Sequence, residues 1–355
     1  MPQLPMTYTL IDTLTRIGKP PTTWKSHDGS TVLVLPYGGR ILGLFAPDSD
    51  RNFFWTHPAL ESVDSADAFY RSTEWHNSGG DRTWLSPEID FFRPNYPSLD
   101  TYFQPREFDP GAYKLTTDDG KVVLVNSFSI VQSRSKQSLE LRITKRLGEA
   151  LNPLRELDPT LYSGLQYAGF TLQTQLEVLR STGPAELNLW SLLQLPHGGD
   201  LIIPTFSRSS VMFLMGEIGA DDLVITDQFI RYKMRAKGEH KIGVSPLWVA
   251  GRVGYLYPHV SGFSLMIRNF AVNPSAKYLD TPLDCPDGSG AAVQACNVNS
   301  RLGAFSELEY HAPAIGGATG VSMSDDSSQV WAFYGPHEAI TSAARLLLCP
   351  ALRFN

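Results

Sequence analysis

SLELRITKR, residues 138–146, decides the fold. In an extended chain Leu139, Leu141 and Ile143 share one face, and Glu140, Arg142 and Thr144 share the other. Alternation with period two marks a β-strand whose two sides meet different surroundings. TLQTQLEVL (171–179) repeats the pattern, with Leu172, Leu176 and Val178 opposing Gln173, Gln175 and Glu177. In GFSLMIRNFAV (262–272), Leu265 and Ile267 lie opposite Met266, Arg268 and Phe270. Outward from these three, further strands are expected at 31–36, 40–47, 121–131, 185–196, 209–217, 222–227, 251–258, 305–311 and 329–335. One sheet does not comfortably hold so many strands, so two stacked sheets are expected.

The punctuation agrees. The chain has 29 glycines and 25 prolines, spread throughout, which favours strands joined by turns. Helical signals are confined to 57–72 and to 338–348, the latter a terminal helix or a last strand. Neither forms a βαβ crossover, so a parallel α/β sheet is not expected. No fixed short repeat points to a propeller or solenoid, and no low-complexity linker divides the chain. The expectation is a single all-β domain over 1–355, a large antiparallel two-sheet sandwich with few short helices.

Of the 355 residues, 42% are hydrophobic and 19% charged, enough apolar material for a full core. The net charge of -6 comes without any basic block, so no nucleic-acid partner is expected. The opening MPQLPMTYTLIDTLTRIGKPP lacks the basic and apolar regions of a signal peptide. No stretch approaches the roughly 18 apolar residues of a membrane span. A cytoplasmic monomer or homodimer, without membrane association, is the expectation. Cys285 and Cys296 flank a Gly/Ala-rich loop and are either paired or two ordinary thiols; Cys349 is the third cysteine. No Cys/His cluster stands at zinc-ligand spacing, and no metal is expected to be needed.

Two segments carry the densest chemistry. In FSELEYHAP (305–313) strand alternation puts Glu307, Glu309 and His311 on one face with Phe305, and Leu308 and Tyr310 on the other. Two carboxylates at this spacing, roughly 7 Å apart, can raise one another's pKa and divide acid from base; a solvated edge strand is the plainer alternative. HNSGGDRTWLSPE (76–88) holds Arg82, a planar fork of donors, and Trp84, with Trp75 just before it, as flat faces for a sugar ring. His76, Asp81 and Glu88 add polar groups, and Gly79-Gly80 allow a tight turn. The alternative is a structural loop with solvated charges. His197, in a His-Gly-Gly turn, stands at a pocket rim or is idle. Lys145, Arg142 and Lys241 either line a cationic groove or lie on the surface. Tyr255 and Tyr257 share a strand face, with core packing as the default. No Gly-x-Ser-x-Gly elbow, P-loop or His-Glu-x-x-His occurs, and GEIGADD (216–222) is a turn.

Four phrases in order, GGRILGLFAPDSDRNFFW (38–55), HNSGGDRTWLSPE (76–88), LNLWSLLQLPHGG (187–199) and FSELEYHAPA (305–314), resemble the galactose-mutarotase-like (aldose 1-epimerase-like) superfamily. They span about residues 30–315. The likeness is to bacterial mutarotase-like branches more than to a true aldose 1-epimerase. It implies the two-sheet supersandwich, a small carbohydrate as partner, a catalytic glutamate at Glu309, an arginine-bearing substrate loop around Arg82, and Arg40 reaching the pocket. The family's central-strand histidine is replaced here by Trp190 or Ser191. The implied function is an epimerase-like isomerase using metal-independent acid/base chemistry and no cofactor, although a bound divalent ion stays open. Glu309 or Glu307 would take a proton, His311, His76 or His197 would give one, and Arg82 would steady the oxygen charge. A non-catalytic carbohydrate-binding protein and a lyase or hydrolase are the alternatives.

Overall fold

The computed structural model describes residues 6–118 and 120–353. Among them the chain forms two antiparallel sheets of ten strands each. The expected alternation is realised: Leu139, Leu141 and Ile143 are buried between the sheets, as are Leu172 and Leu176. Each sheet also has an outward face, and a patch on each of those faces is covered.

On the second sheet, the helix His337–Leu347 lays Ile340, Ala343, Ala344 and Leu347 over Leu265 and Ile267. This explains GFSLMIRNFAV: Met266 and Arg268 face the other sheet, Leu265 and Ile267 face the helix, and all four are buried. The 338–348 segment is therefore helical rather than a last strand. On the first sheet, the helix Met6–Arg16 packs Leu10 and Leu14 on Leu33, Leu35 and Leu42. The 57–72 segment forms the short 3-10 turn Pro58–Glu61 and the helix Val63–Arg71, where a helical signal was expected. The remaining outward face of the first sheet is polar, and it holds the site.

That sheet runs, from one edge, through Thr22–Lys25, Thr31–Leu35, Arg40–Phe45, Asp81–Ser86, Glu186–Pro196, Gly303–His311, Val293–Ser300, Gly238–Val244 and Met212–Met215, with the tenth strand, Ile315–Gly316, pairing off this path with the start of Glu186–Pro196. Asp81–Ser86 corrects the reading of 76–88 as a loop: it is a central strand paired in register with Glu186–Pro196. Gly79 and Gly80 make its entry possible. Their φ values are 96° and 74°. A Cβ there would lie 2.3 Å from the Trp55 carbonyl oxygen and 2.2 Å from that of Ile41. Only glycine lets three backbones approach this closely.

Strand parity then sorts the charges. Asp81, Thr83 and Leu85 point between the sheets, and Arg82 and Trp84 point outward. Asp81 meets Arg268 of the opposite sheet at 3.0 Å, both nearly fully buried. Its assignment as a substrate group is thereby corrected, because the sheet separates it from the outward face. Lys145 donates to the Gly39 carbonyl from a buried position and Arg142 pairs with Glu177, so these two do not form a groove with Lys241. Tyr255 is a core residue, its hydroxyl donating to the Pro196 carbonyl and accepting from Ser306. Cys285 is exposed, Cys296 is buried, and both are free thiols, as is Cys349. No helix among the described residues is long and apolar enough to cross a membrane.

Candidate functional site

Four rows of side chains, each two residues along the strands from the last, make the outward face of the first sheet. Trp84 stands beside Trp190 and His311; Arg82 beside Leu192, Glu309 and Gln294. The third row is Gln194, Glu307, Cys296 and Lys241, and the fourth is Phe305, Val298 and Glu239. Segments 57–77 and 88–104 wall this surface and leave a cavity of about 770 Å³. Arg82, Trp84, Trp190, Glu307, Lys241 and Glu88 line it, with Trp75, Arg93 and Tyr102 opposite. Its carboxylates (Glu74, Glu88, Glu239, Glu307) equal its cations (Arg82, Arg93, Lys241, Arg301) in number.

Arg82 donates to Glu307 at 2.7 Å, and Gln194 donates to the same oxygen at 3.0 Å. The guanidinium carbon lies 4.2 Å from the Trp84 ring centre and 5.3 Å from that of Trp75, close enough for attraction between the cation and the ring faces. Its Nε and Nη1 make no hydrogen bond within the described residues. Buried donors without partners are costly, and a ligand oxygen would satisfy them.

Glu309 lies one layer deeper. It accepts from Lys241 at 3.0 Å and from the Trp190 indole at 2.8 Å, and its Oε1 makes no hydrogen bond. Burial raises its pKa to about 7, with Lys241 opposing the shift and Glu307 adding to it. Lys241 is held cationic against its own desolvation by Glu309, Asp280 and Glu88. Burial also raises Glu88, although Lys241 and Arg93 oppose this; Arg93 sits 3.1 Å away. Donor atoms of Cys296, Glu307 and Glu309 lie within 4.8 Å of one another, the group among the described residues that could hold a metal ion. Arg82 and Lys241 already contact its two carboxylates.

The structure separates the remaining candidates. Arg40 does not reach the cavity. It is fully buried and pairs with Asp109 at 3.0 Å. The same Asp109 oxygen accepts the indole N–H groups of Trp75 and Trp84, each at 2.9 Å. Arg40 thus acts through Asp109 on the aromatic walls rather than on a ligand. His76 is also withdrawn. Its Nε2 donates to the Ser72 carbonyl, so Nδ1 accepts from Tyr37 at 2.6 Å, and both nitrogens are engaged. His311 is fully buried behind Trp190, stacked at 5.5 Å, and burial lowers its pKa to about 4. His197 donates to Asn297 and the Ala236 carbonyl. Asn297 alternates with Cys296 and Val298, so that contact lies on the far side of the sheet from the cavity. Sequence reasoning missed Asp109, Arg93 and Tyr102, and named Trp190 only as a replacement.

Asp109→Ala is expected to destabilise the protein by about 3–5 kcal/mol in urea unfolding, because it leaves Arg40 buried and unpaired and frees two indole N–H groups. A loss below about 1 kcal/mol would mean that the pair is open to water.

The fold and the site together define a two-sheet β-sandwich with a polar, tryptophan-walled cavity on one outer face. The chain belongs to the Family of unknown function (DUF6786), whose model matches residues 23–352. No curated protein matches in sequence. Among solved structures it is similar to a galactose mutarotase related enzyme from Lactobacillus acidophilus, at 9% identity and a TM-score of 0.44, over 88% of this chain and 97% of that one. A putative aldose 1-epimerase from Klebsiella pneumoniae is similar at 9% identity and 0.46, over 95% and 85%. Galactose 1-epimerase from Lactobacillus acidophilus is similar at 8% and 0.41, over 89% and 94%.

Proposed function

We propose that the cavity binds a neutral carbohydrate and acts on it by acid/base chemistry, in the manner of an epimerase. The observation that carries this reading is the convergence of Arg82, Glu307 and three tryptophans in one cavity. The partly exposed Trp75 ring suits the apolar side of a pyranose, Trp84 and Trp190 pack behind Arg82 and Lys241, and the arginine fork suits the hydroxyl oxygens. Equal numbers of lining carboxylates and cations favour an uncharged ligand over a sugar acid or phosphate. Glu307, held by Arg82 and Gln194, takes the proton of the anomeric hydroxyl. Glu88, whose pKa burial raises, gives its own proton to the ring oxygen as the bond from that oxygen to the anomeric carbon breaks, leaving the open-chain aldehyde. Arg82 steadies the oxygen charge, and after rotation about the C1–C2 bond the reverse transfers close the ring as the other anomer and restore both carboxyl groups. A second reading, a sugar-binding protein without turnover, is favoured by one fact: His76, His197 and His311 are all engaged away from the cavity.

A thermal-shift series with neutral sugars, sugar acids, sugar phosphates and divalent ions tests the proposal. A neutral sugar at 100 times its Kd is expected to stabilise the fold by roughly 2.7 kcal/mol. Trp75→Ala, at the partly exposed wall, is expected to abolish most of that shift, each protein being compared with its own unliganded baseline. Stabilisation by sugar phosphates alone, or by metal ions alone, would overturn the neutral-carbohydrate reading.

A further inference from the structure

The cavity is longer than one sugar ring. From the row of Trp84 and Trp190 to the row of Phe305 and Val298 is six residues along a strand, roughly 20 Å at the usual rise. Arg82 stands one row from Trp84, and Glu307 one row further, between Arg82 and the Phe305 row. The Phe305 end has a separate character. Phe305 and Val298 belong with Trp55 and Cys296 to a small apolar cluster of their own, and Leu302 extends it to the rim. Polar groups edge this bed: the Arg301 guanidinium, the Glu239 carboxylate, which accepts from Ser300 at 2.7 Å, and His57. His57 accepts the Ala59 N–H through Nδ1, so Nε2 carries the hydrogen. An apolar bed edged by a cation, a carboxylate and a neutral N–H repeats the composition of the Arg82 end. A volume of about 770 Å³ also lies in the upper part of the range of roughly 300–1,000 Å³ usual for small-molecule sites.

We propose that the Phe305–Arg301 end is a second sugar subsite, so that the ligand is a neutral disaccharide or longer glycoside. This rests on the reading of the cavity as a sugar site and names its substrate class. Calorimetric titration of the full chain with galactose against lactose, glucose against maltose and cellobiose, and mannose against mannobiose separates the two ideas. One disaccharide is expected to bind about tenfold or more tightly than its parent monosaccharide, since a second ring adds contacts without a second loss of translational freedom. Arg301→Ala, at an exposed hairpin position, is expected to reduce that ratio at least threefold, roughly the loss of one polar contact. Equal affinity for both lengths, or a ratio that Arg301→Ala leaves alone, overturns the second subsite while the sugar site stands. Failure of every saccharide to bind overturns both.

Discussion

Glu307→Gln is expected to lower turnover of the bound sugar by roughly 10²–10⁴-fold while its dissociation constant changes little. Glutamine keeps the size and the carbonyl oxygen that Arg82 and Gln194 donate to, so the cavity should keep its shape. It cannot take a proton from a hydroxyl. Binding and turnover therefore separate at this position, which they would not at Arg82, where substitution strips the buried Glu307 carboxylate of its cation and disturbs both. Exchange between anomers, followed by nuclear magnetic resonance on the sugar found in the thermal series, gives the rate. If the variant keeps its rate, the base is another group. If the unaltered protein binds the sugar and shows no turnover above the uncatalysed rate, the cavity is a binding site and the acid/base assignment falls.

The face shared by Glu307, Glu309 and His311 was legible because strand parity depends on spacing alone. Which of the three meets the cavity was not, because depth is set by neighbouring strands: Lys241 and Trp190 close over Glu309, and Trp190 stacks over His311. Asp81–Ser86 was hidden for a related reason. A strand usually announces itself by an apolar face, and here both faces carry a buried charge, Asp81 held by Arg268 and Arg82 held by Glu307. Without apolar alternation, and after two glycines, DRTWLS reads as a loop. The sandwich itself was legible because strands such as Ser138–Gly148 have one side that is apolar but for Lys145. Asp109 left no trace in the sequence. Its importance comes from three donors that approach it from separate segments, at Arg40, Trp75 and Trp84.

Glu309 offers a test of the buried layer that does not depend on any ligand. Its pKa in the folded chain is about 7, against an ordinary value of 4.5. The folded protein therefore holds this proton more tightly than the unfolded chain does. The stability from that preference is complete below pH 4.5 and is lost as the pH rises through 7. A shift of this direction costs on the order of a few kcal/mol across the window. Three groups face the carboxyl. Lys241 keeps its charge through this range, Glu307 adds negative charge, and burial pushes the Cys296 thiol well up, so it stays neutral. Glu309→Gln removes the ionisation while leaving an oxygen for the Trp190 indole. Urea unfolding at pH 5 and pH 8 is expected to show the unaltered protein losing on the order of a few kcal/mol more than the variant between the two. Parallel losses would show that Lys241 cancels the effect of burial and fixes an ordinary ion pair. A gain in stability with pH relative to the variant would show that Lys241 outweighs burial, and Glu309 would then be a carboxylate throughout, with no proton to give at neutral pH.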